Sequence, residues 1–212
     1  MNKNIINKKP KAEKEFTEYL NSTSSTDSEQ ILNYISNEIK NLKIKSKDSE
    51  IISKIIHSYK KIIEGTELNP YDFILKNQEL LELRDKKGFE LIRYLVYRYK
   101  YNKFPNLKII EDYPVNLQIE ISSICNLRCV MCYQKDKTFS SKSNGFMGYM
   151  NFELFKKIID EVDGKLEAIT FASRGEPTLN PELEKFLKYS EGKFLGLKLN
   201  TNATILSEKI IN

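Results

Sequence analysis

The sequence predicts an α/β protein with an α-helical region over residues 29–110 ahead of a parallel strand-and-helix segment over residues 113–212. Three observations carry that expectation. Before Pro105 apolar residues recur three and four apart, as on the buried face of a helix. After it, short apolar or alternating runs take turns with amphipathic stretches, the pattern of parallel strands joined by crossover helices. The only three cysteines, Cys125, Cys129 and Cys132, fall together directly after the first strand-like run. With 40% hydrophobic and 30% charged residues over 212 positions, the chain has the composition of a soluble globular protein, which excludes collagen-like and wholly disordered classes.

Residues 1–28 form an expected flexible lead, because the run Asn21-Ser-Thr-Ser-Ser-Thr-Asp-Ser28 has too little apolar surface to offset its own ordering. From there Ile31, Leu32, Ile35, Ile39 and Leu42 define one helix face, and Ile51, Ile52, Ile55, Ile56, Tyr59, Ile62 and Ile63 a second that Gly65 should stop. Two more helices are expected near residues 72–83 and 88–101, the latter burying Phe89, Ile92, Leu95, Val96 and Tyr99. The single histidine, His57, sits on the second helix and reads as a surface or core residue.

Residues 115–122 alternate as a strand would, and 151–162 make a helix turning Phe152, Phe155, Ile158, Ile159 and Val162 inward. A strand over 166–173, a helix over 180–189, a strand over 194–200 and the start of a helix over 205–211 complete the pattern. Three parallel strands alone would leave long open edges, so the chain is expected to be the first part of a longer enzyme or a truncated one.

The net charge of +5 is uneven. Residues 1–110 hold 21 basic against 15 acidic side chains, a balance of +6, and residues 111–212 hold 13 against 14, a balance of −1. The lysines are interleaved with glutamates rather than gathered in a stripe, which reads as a solvated helical surface and not a nucleic-acid interface. There is no apolar run long enough to span a bilayer and no apolar signal core at the start, so the expected location is cytoplasmic, with no membrane partner.

In a reducing compartment three clustered cysteines make a poor disulfide framework and a good metal-ligand set. Their spacing is Cys-x3-Cys-x2-Cys in the loop after a strand, the place where ligands and catalysis sit in strand-and-helix folds. A cubane iron–sulfur cluster has four irons to ligate, and three protein thiolates leave one open. A structural zinc site would want a fourth Cys or His, for which the only candidate is His57 in the helical region.

Two further motifs follow at the next strand ends: Ser173-Arg174-Gly175-Glu176-Pro177 and Asn200-Thr201-Asn202-Ala203. With the cysteine loop they resemble the radical S-adenosylmethionine (radical SAM) superfamily, being similar to its cysteine signature, its Gly-Gly-Glu-Pro motif and its Thr-Asn-Gly segment. Two positions depart from that pattern: Met131 stands where an aromatic residue commonly precedes the third cysteine, and Arg174 stands for the first Gly of Gly-Gly-Glu-Pro.

The resemblance covers about residues 113–212 and implies the first three strand-helix units of a partial (β/α)6 barrel. It implies a [4Fe-4S] cluster on Cys125, Cys129 and Cys132, with the amino and carboxylate groups of SAM on the open iron. It implies SAM contacts from Met131, Gly175, Glu176, Pro177, Thr201 and Asn202, Glu176 accepting from the amino group. An external electron donor such as flavodoxin or ferredoxin would reduce the cluster. Cleavage of SAM to methionine and a 5′-deoxyadenosyl radical would then start hydrogen abstraction from a peptide, a cell-surface metabolite or another small molecule. The competing expectation is a non-catalytic iron–sulfur or interaction protein derived from a truncated barrel.

Overall fold

The computed structural model describes residues 25–206, in two compact units that meet in sequence at Ile109 and Ile110. The first unit contains α1 (Ser25–Ile39), α2 (Ser46–Ile63), α3 (Asn77–Leu83) and α4 (Gly88–Leu107). Helices α1, α2 and α4 pack on one another around Ile35, Ile51, Ile52, Ile55, Tyr59, Leu91, Ile92, Leu95 and Tyr99.

Four details differ from the sequence expectation. Helix α1 begins at Ser25, inside the expected flexible lead, with Asp27 in the first turn, where a carboxylate suits the helix dipole, and with Ser28 buried. The rest of that lead, residues 1–24, lies outside the described residues. The helix expected from residue 72 starts only at Asn77, because two hydroxyls of α2 satisfy the preceding backbone in an extended form. Ser58 Oγ accepts from Phe73 N–H at 3.0 Å and Tyr59 Oη from Leu75 N–H at 3.1 Å. Helix α4 runs on past residue 101 to Leu107, its last turn anchored by buried Phe104 edge-on to Tyr99. Phe89, expected inside, is exposed, because the buried stripe of α4 is set by Leu91, Ile92, Leu95 and Tyr99.

The second unit is a three-stranded parallel sheet in the order β1 (Asn116–Ile119), β2 (Ala168–Phe171), β3 (Gly196–Leu199). Ile119 is paired with Phe171, and Phe171 with Leu199, so the three strands end level. After β1 come the one-turn helix α5 (Lys137–Ser140) and α6 (Phe152–Val162), and α7 (Leu183–Ser190) joins β2 to β3. The core holds Ile119, Ile121, Ile169 and Phe171 from the sheet region, Phe155, Ile159 and Val162 from α6, and Leu183 and Phe186 from α7. Phe155 stacks on Phe186 at 4.3 Å between centroids and meets the edge of Phe171 at 5.5 Å. Phe152 and Ile158 are only partly buried against this cluster.

The helix expected over 180–189 is α7, which starts only at Leu183 and is preceded by a 3₁₀ turn, Pro177–Leu179. Asn180 causes the break: its Nδ2 donates to Ile121 O at 2.6 Å and Met150 O at 3.0 Å, and its Oδ1 accepts from Glu182 N–H. These bonds fix it as an extended joint between the two turns. The helix expected over 205–211 falls mainly outside the described residues. Among the described residues no helix is long and apolar enough to cross a membrane.

Candidate active site at the carboxyl ends of the strands

Because the strands end level, the three loops that leave them are brought to one edge of the sheet. The first is a long excursion closed at its base. Ser123 N–H donates to Gly148 O at 3.0 Å, Gly148 N–H to Ser123 Oγ at 2.8 Å, and Met150 N–H to Ile121 O at 3.0 Å. Everything between Ile124 and Phe146, the three cysteines included, is carried on that clasp.

The cysteines are free thiols; Cys125 and Cys132 are half-buried and Cys129 is exposed. Cys129 O accepts from Cys132 N–H at 2.9 Å, which turns the chain between the last two. Two of the sulfurs already accept backbone donors: Leu127 N–H lies 3.4 Å from Cys125 Sγ and Gln134 N–H 3.5 Å from Cys132 Sγ. Asn202 Nδ2 lies 3.8 Å from Cys125 Sγ. Among the described residues no three His, Cys, Asp or Glu side chains converge as they would on a single ion. His57, the fourth ligand that a zinc site would want, is exposed on α2 in the first unit. A cubane places its irons at separate corners, so its thiolates need not converge on one point. Three free thiols on one loop, with N–H donors directed at two of the sulfurs, are a donor set that fits such a cluster.

Gly175 is where the second loop touches the first. A Cβ at this position would lie 2.0 Å from Ser122 O, 2.6 Å from Ser122 C and 2.8 Å from Ile124 O. The space a side chain would need at this glycine is thus filled by the chain's own backbone. That approach lets Glu176 N–H reach Ile124 O at 2.8 Å. Gln134 adds a second link: its Nε2 donates to Ser123 O at 2.8 Å and to Arg174 O at 2.7 Å. Two carbonyl acceptors fix the orientation of that amide and leave Gln134 Oε1, which is buried, with no partner.

Glu176 is only 2% exposed, and its carboxylate is met by the chain's own donors. Oε1 accepts from Thr178 N–H (3.1 Å), Thr178 Oγ1 (2.6 Å) and Thr201 Oγ1 (2.5 Å), and Oε2 from Asn202 N–H (2.7 Å). A carboxylate oxygen has about two lone-pair sites, so three donors crowd Oε1 while Oε2, with Asn202 N–H alone, keeps one site for a further donor. Burial pushes the Glu176 carboxyl up, but the Asn202, Thr178 and Thr201 bonds outweigh it and hold it below the ordinary range. Glu176 therefore braces the second loop to the third. Pro177 is buried and opens the 3₁₀ turn.

Arg174 does not point freely to solvent. Its Nε and Nη2 grip both oxygens of Glu120, just beyond β1, at 2.6–3.1 Å, and its N–H adds a fourth contact at 2.9 Å. Burial would raise the Glu120 carboxyl, and the bonds from Arg174 and Ser173 bring it below its usual range. Ser173 has φ +146 and Ala203 φ +59, both in the region that favours glycine. Ala203 stands where the Thr-Asn-Gly segment that this loop resembles has its glycine.

Met131, expected among the SAM contacts, is 85% exposed. Gly175, Glu176, Thr201 and Asn202 are brought together with Cys125, whereas Met131 is on the outward part of the loop. The sequence reading missed Glu120, Asn126, Gln134 and Thr204. Each is an ordinary polar residue in a loop, and the only signal was nearness to a motif: Asn126 follows the first cysteine and Gln134 lies two residues past the third.

Fold and site define a parallel strand-and-helix unit with a cysteine loop at its strand ends. The profile of the radical SAM superfamily matches residues 119–212, and it is this segment that is similar to that superfamily. The tungsten-containing aldehyde ferredoxin oxidoreductase cofactor-modifying protein of Pyrococcus furiosus is 32% identical over 97 residues, 45% of this chain and 26% of that protein. Mycofactocin maturase MftC of Mycobacterium tuberculosis is 28% identical over 99 residues, 47% of this chain and 24% of its own length. The chain thus spans about a quarter of the length of these relatives. The crystal structure of BtrN in complex with AdoMet and 2-DOIA is similar with a TM-score of 0.41 and 21% identity, covering 48% of this chain and 41% of that one.

Proposed function

We propose that residues 113–212 are the first three strand-helix units of a (β/α)6 radical SAM core, in which Cys125, Cys129 and Cys132 hold a [4Fe-4S] cluster and SAM completes it. The observation that carries this reading is the joining of the cysteine loop to both other strand-end loops. Gly175 and Gln134 tie it to the second, and Asn202 ties it to the third. The chemistry that the pair supplies when bound is reductive cleavage of SAM to methionine and a 5′-deoxyadenosyl radical that abstracts hydrogen from substrate.

The chain's own residues bind and orient. The clasp of Ser123 and Gly148 fixes where the thiolates start and Gly175 fixes the separation of the first two loops. Glu176 braces Thr178 and Thr201 through Oε1 and Asn202 through Oε2, and Oε2, which has one donor, would also accept from the amino group of SAM. The other groups left for SAM are the loop surfaces of Gly175, Thr201 and Asn202 and the exposed Met131 side chain, which is apolar and adaptable enough to close over adenine on binding. The reductant is a small electron carrier of the flavodoxin or ferredoxin kind, and the substrate a peptide, a cell-surface metabolite or another small molecule.

The test is electron paramagnetic resonance of the anaerobically reconstituted, dithionite-reduced protein with and without SAM. A cluster signal that changes on adding SAM is expected. A signal indifferent to SAM would favour a non-catalytic iron–sulfur protein, and failure to reconstitute any cluster would refute the assignment of the three cysteines.

A further inference from the structure

Asn126, Asn202 and Thr204 form a closed hydrogen-bonded ring beside Cys125, and one backbone group fixes its direction. Thr204 N–H, which can only donate, lies 3.0 Å from the Asn202 carboxamide oxygen. That oxygen must face Thr204, so the amide nitrogen must face the other way, toward Cys125 and Asn126. Asn126 then presents its own oxygen to Asn202 Nδ2 at 2.9 Å and its nitrogen to Thr204 Oγ1 at 2.7 Å. With that acceptor site filled, the Thr204 hydroxyl gives its hydrogen back to Asn202 Oδ1 at 2.8 Å and the ring closes. Of the two Asn202 N–H bonds, one is spent on Asn126. The other has the Cys125 sulfur, at 3.8 Å, as its acceptor.

We propose that Asn202 is a redox-tuning donor to the Cys125 thiolate, with Asn126 and Thr204 as the positioning residues that keep its amide turned toward sulfur. The inference rests on Cys125 being a cluster ligand, as argued above. A hydrogen bond to a ligand sulfur favours the more electron-rich, reduced state of an iron–sulfur centre, so it makes the cluster easier to reduce. A ring of polarised bonds strengthens each member, so a break at Thr204 weakens the Asn202 contact at a distance. The same ring links the cysteine loop to the loop after β3, which makes the sulfur sensitive to where the third loop sits.

The experiment is an anaerobic redox titration of the reconstituted full chain, read from the reduced-cluster resonance, for wild type, Asn202→Ala, Asn202→Asp and Thr204→Val, with iron and sulfide assayed on each. At a fixed potential, Asn202→Ala should lower the reduced-to-oxidised ratio about three- to tenfold, as loss of one modest hydrogen bond implies, the tenfold end being about 59 mV for one electron. Asn202→Asp, which turns a carboxylate toward sulfur, should lower it further. Thr204→Val should fall between wild type and Asn202→Ala with full cluster content. Variants that load fully and titrate with wild type overturn the inference, and so does loss of the cluster in all three, which would make the ring a scaffold and not a tuning device. A wild-type chain that loads no cluster would instead overturn the assignment of Cys125.

Discussion

Replacing Gly175 by alanine tests the central joint of the site. The added carbon would sit 2.0 Å from Ser122 O, 2.6 Å from Ser122 C and 2.8 Å from Ile124 O, all backbone atoms that cannot rotate away. Relief requires the base of the cysteine loop to move off the second loop, which also lengthens the Glu176 N–H bond to Ile124 O, now 2.8 Å. Overpacking of this kind costs about 1–3 kcal/mol, and the lost hydrogen bond adds about 1 kcal/mol. A total of about 2–4 kcal/mol is a large share of the 5–15 kcal/mol by which a domain is stable. Hydrogen exchange followed by mass spectrometry reads this locally: amides of residues 119–124 and 171–176 should lose protection by about thirtyfold or more, at tenfold per 1.4 kcal/mol. Gly196→Ala is the control, because its nearest neighbour would be the Ala168 side chain at 3.4 Å, and it should leave those amides unchanged. Wild-type protection in Gly175→Ala would refute the argument that this glycine is demanded by contact between the two loops.

Tyr59→Phe removes the acceptor for Leu75 N–H from a fully buried position and should cost the helical unit about 1–3 kcal/mol in urea denaturation. Ala203→Gly relieves a left-handed residue at φ +59 and should raise the melting temperature, by about 1 kcal/mol of stability. Arg174→Ala unpairs Glu120, whose carboxyl should then titrate at higher pH by NMR, at a cost of about 1 kcal/mol for this part-exposed pair. Glu176 and Glu120 both have carboxyls held below the ordinary range. Their contribution is therefore complete above the unfolded value, about 4.3, and is lost as pH falls through the lower folded values. The strand-end loops should loosen on acidification, and Glu176→Gln should flatten that part of the stability-against-pH curve.

Much of this site is written in short-range pattern. The Cys-x3-Cys-x2-Cys spacing, the Gly175-Glu176-Pro177 turn and the Thr201-Asn202 segment each follow an apolar run, so their order at successive strand ends can be read along the chain. The apolar periods place Ile51, Ile55 and Tyr59 in one core and Phe155, Ile159 and Val162 in the other, because burial of one helix face leaves a repeat of three and four. That period does not fix ends or phase. Phe89 is apolar and exposed, and α3 starts late because hydroxyls from α2, distant in sequence, compete for its backbone.

The sequence by itself determined the succession of helices and strands, the identity of the three thiols and the order of the motifs around them, since these depend on neighbours a few residues apart. Only the tertiary structure decided what the motif residues touch. Gly175 makes room for Ser122 and Ile124, Glu176 accepts from Thr178, Thr201 and Asn202, and Arg174 is held by Glu120. It also brought Gln134 between two loops and closed the ring of Asn126, Thr204 and Asn202 on Cys125. The bonds that join one strand-end loop to another link residues 25 to 78 positions apart. They carry no local period, so they exist only once the parallel register has set the three strand ends level.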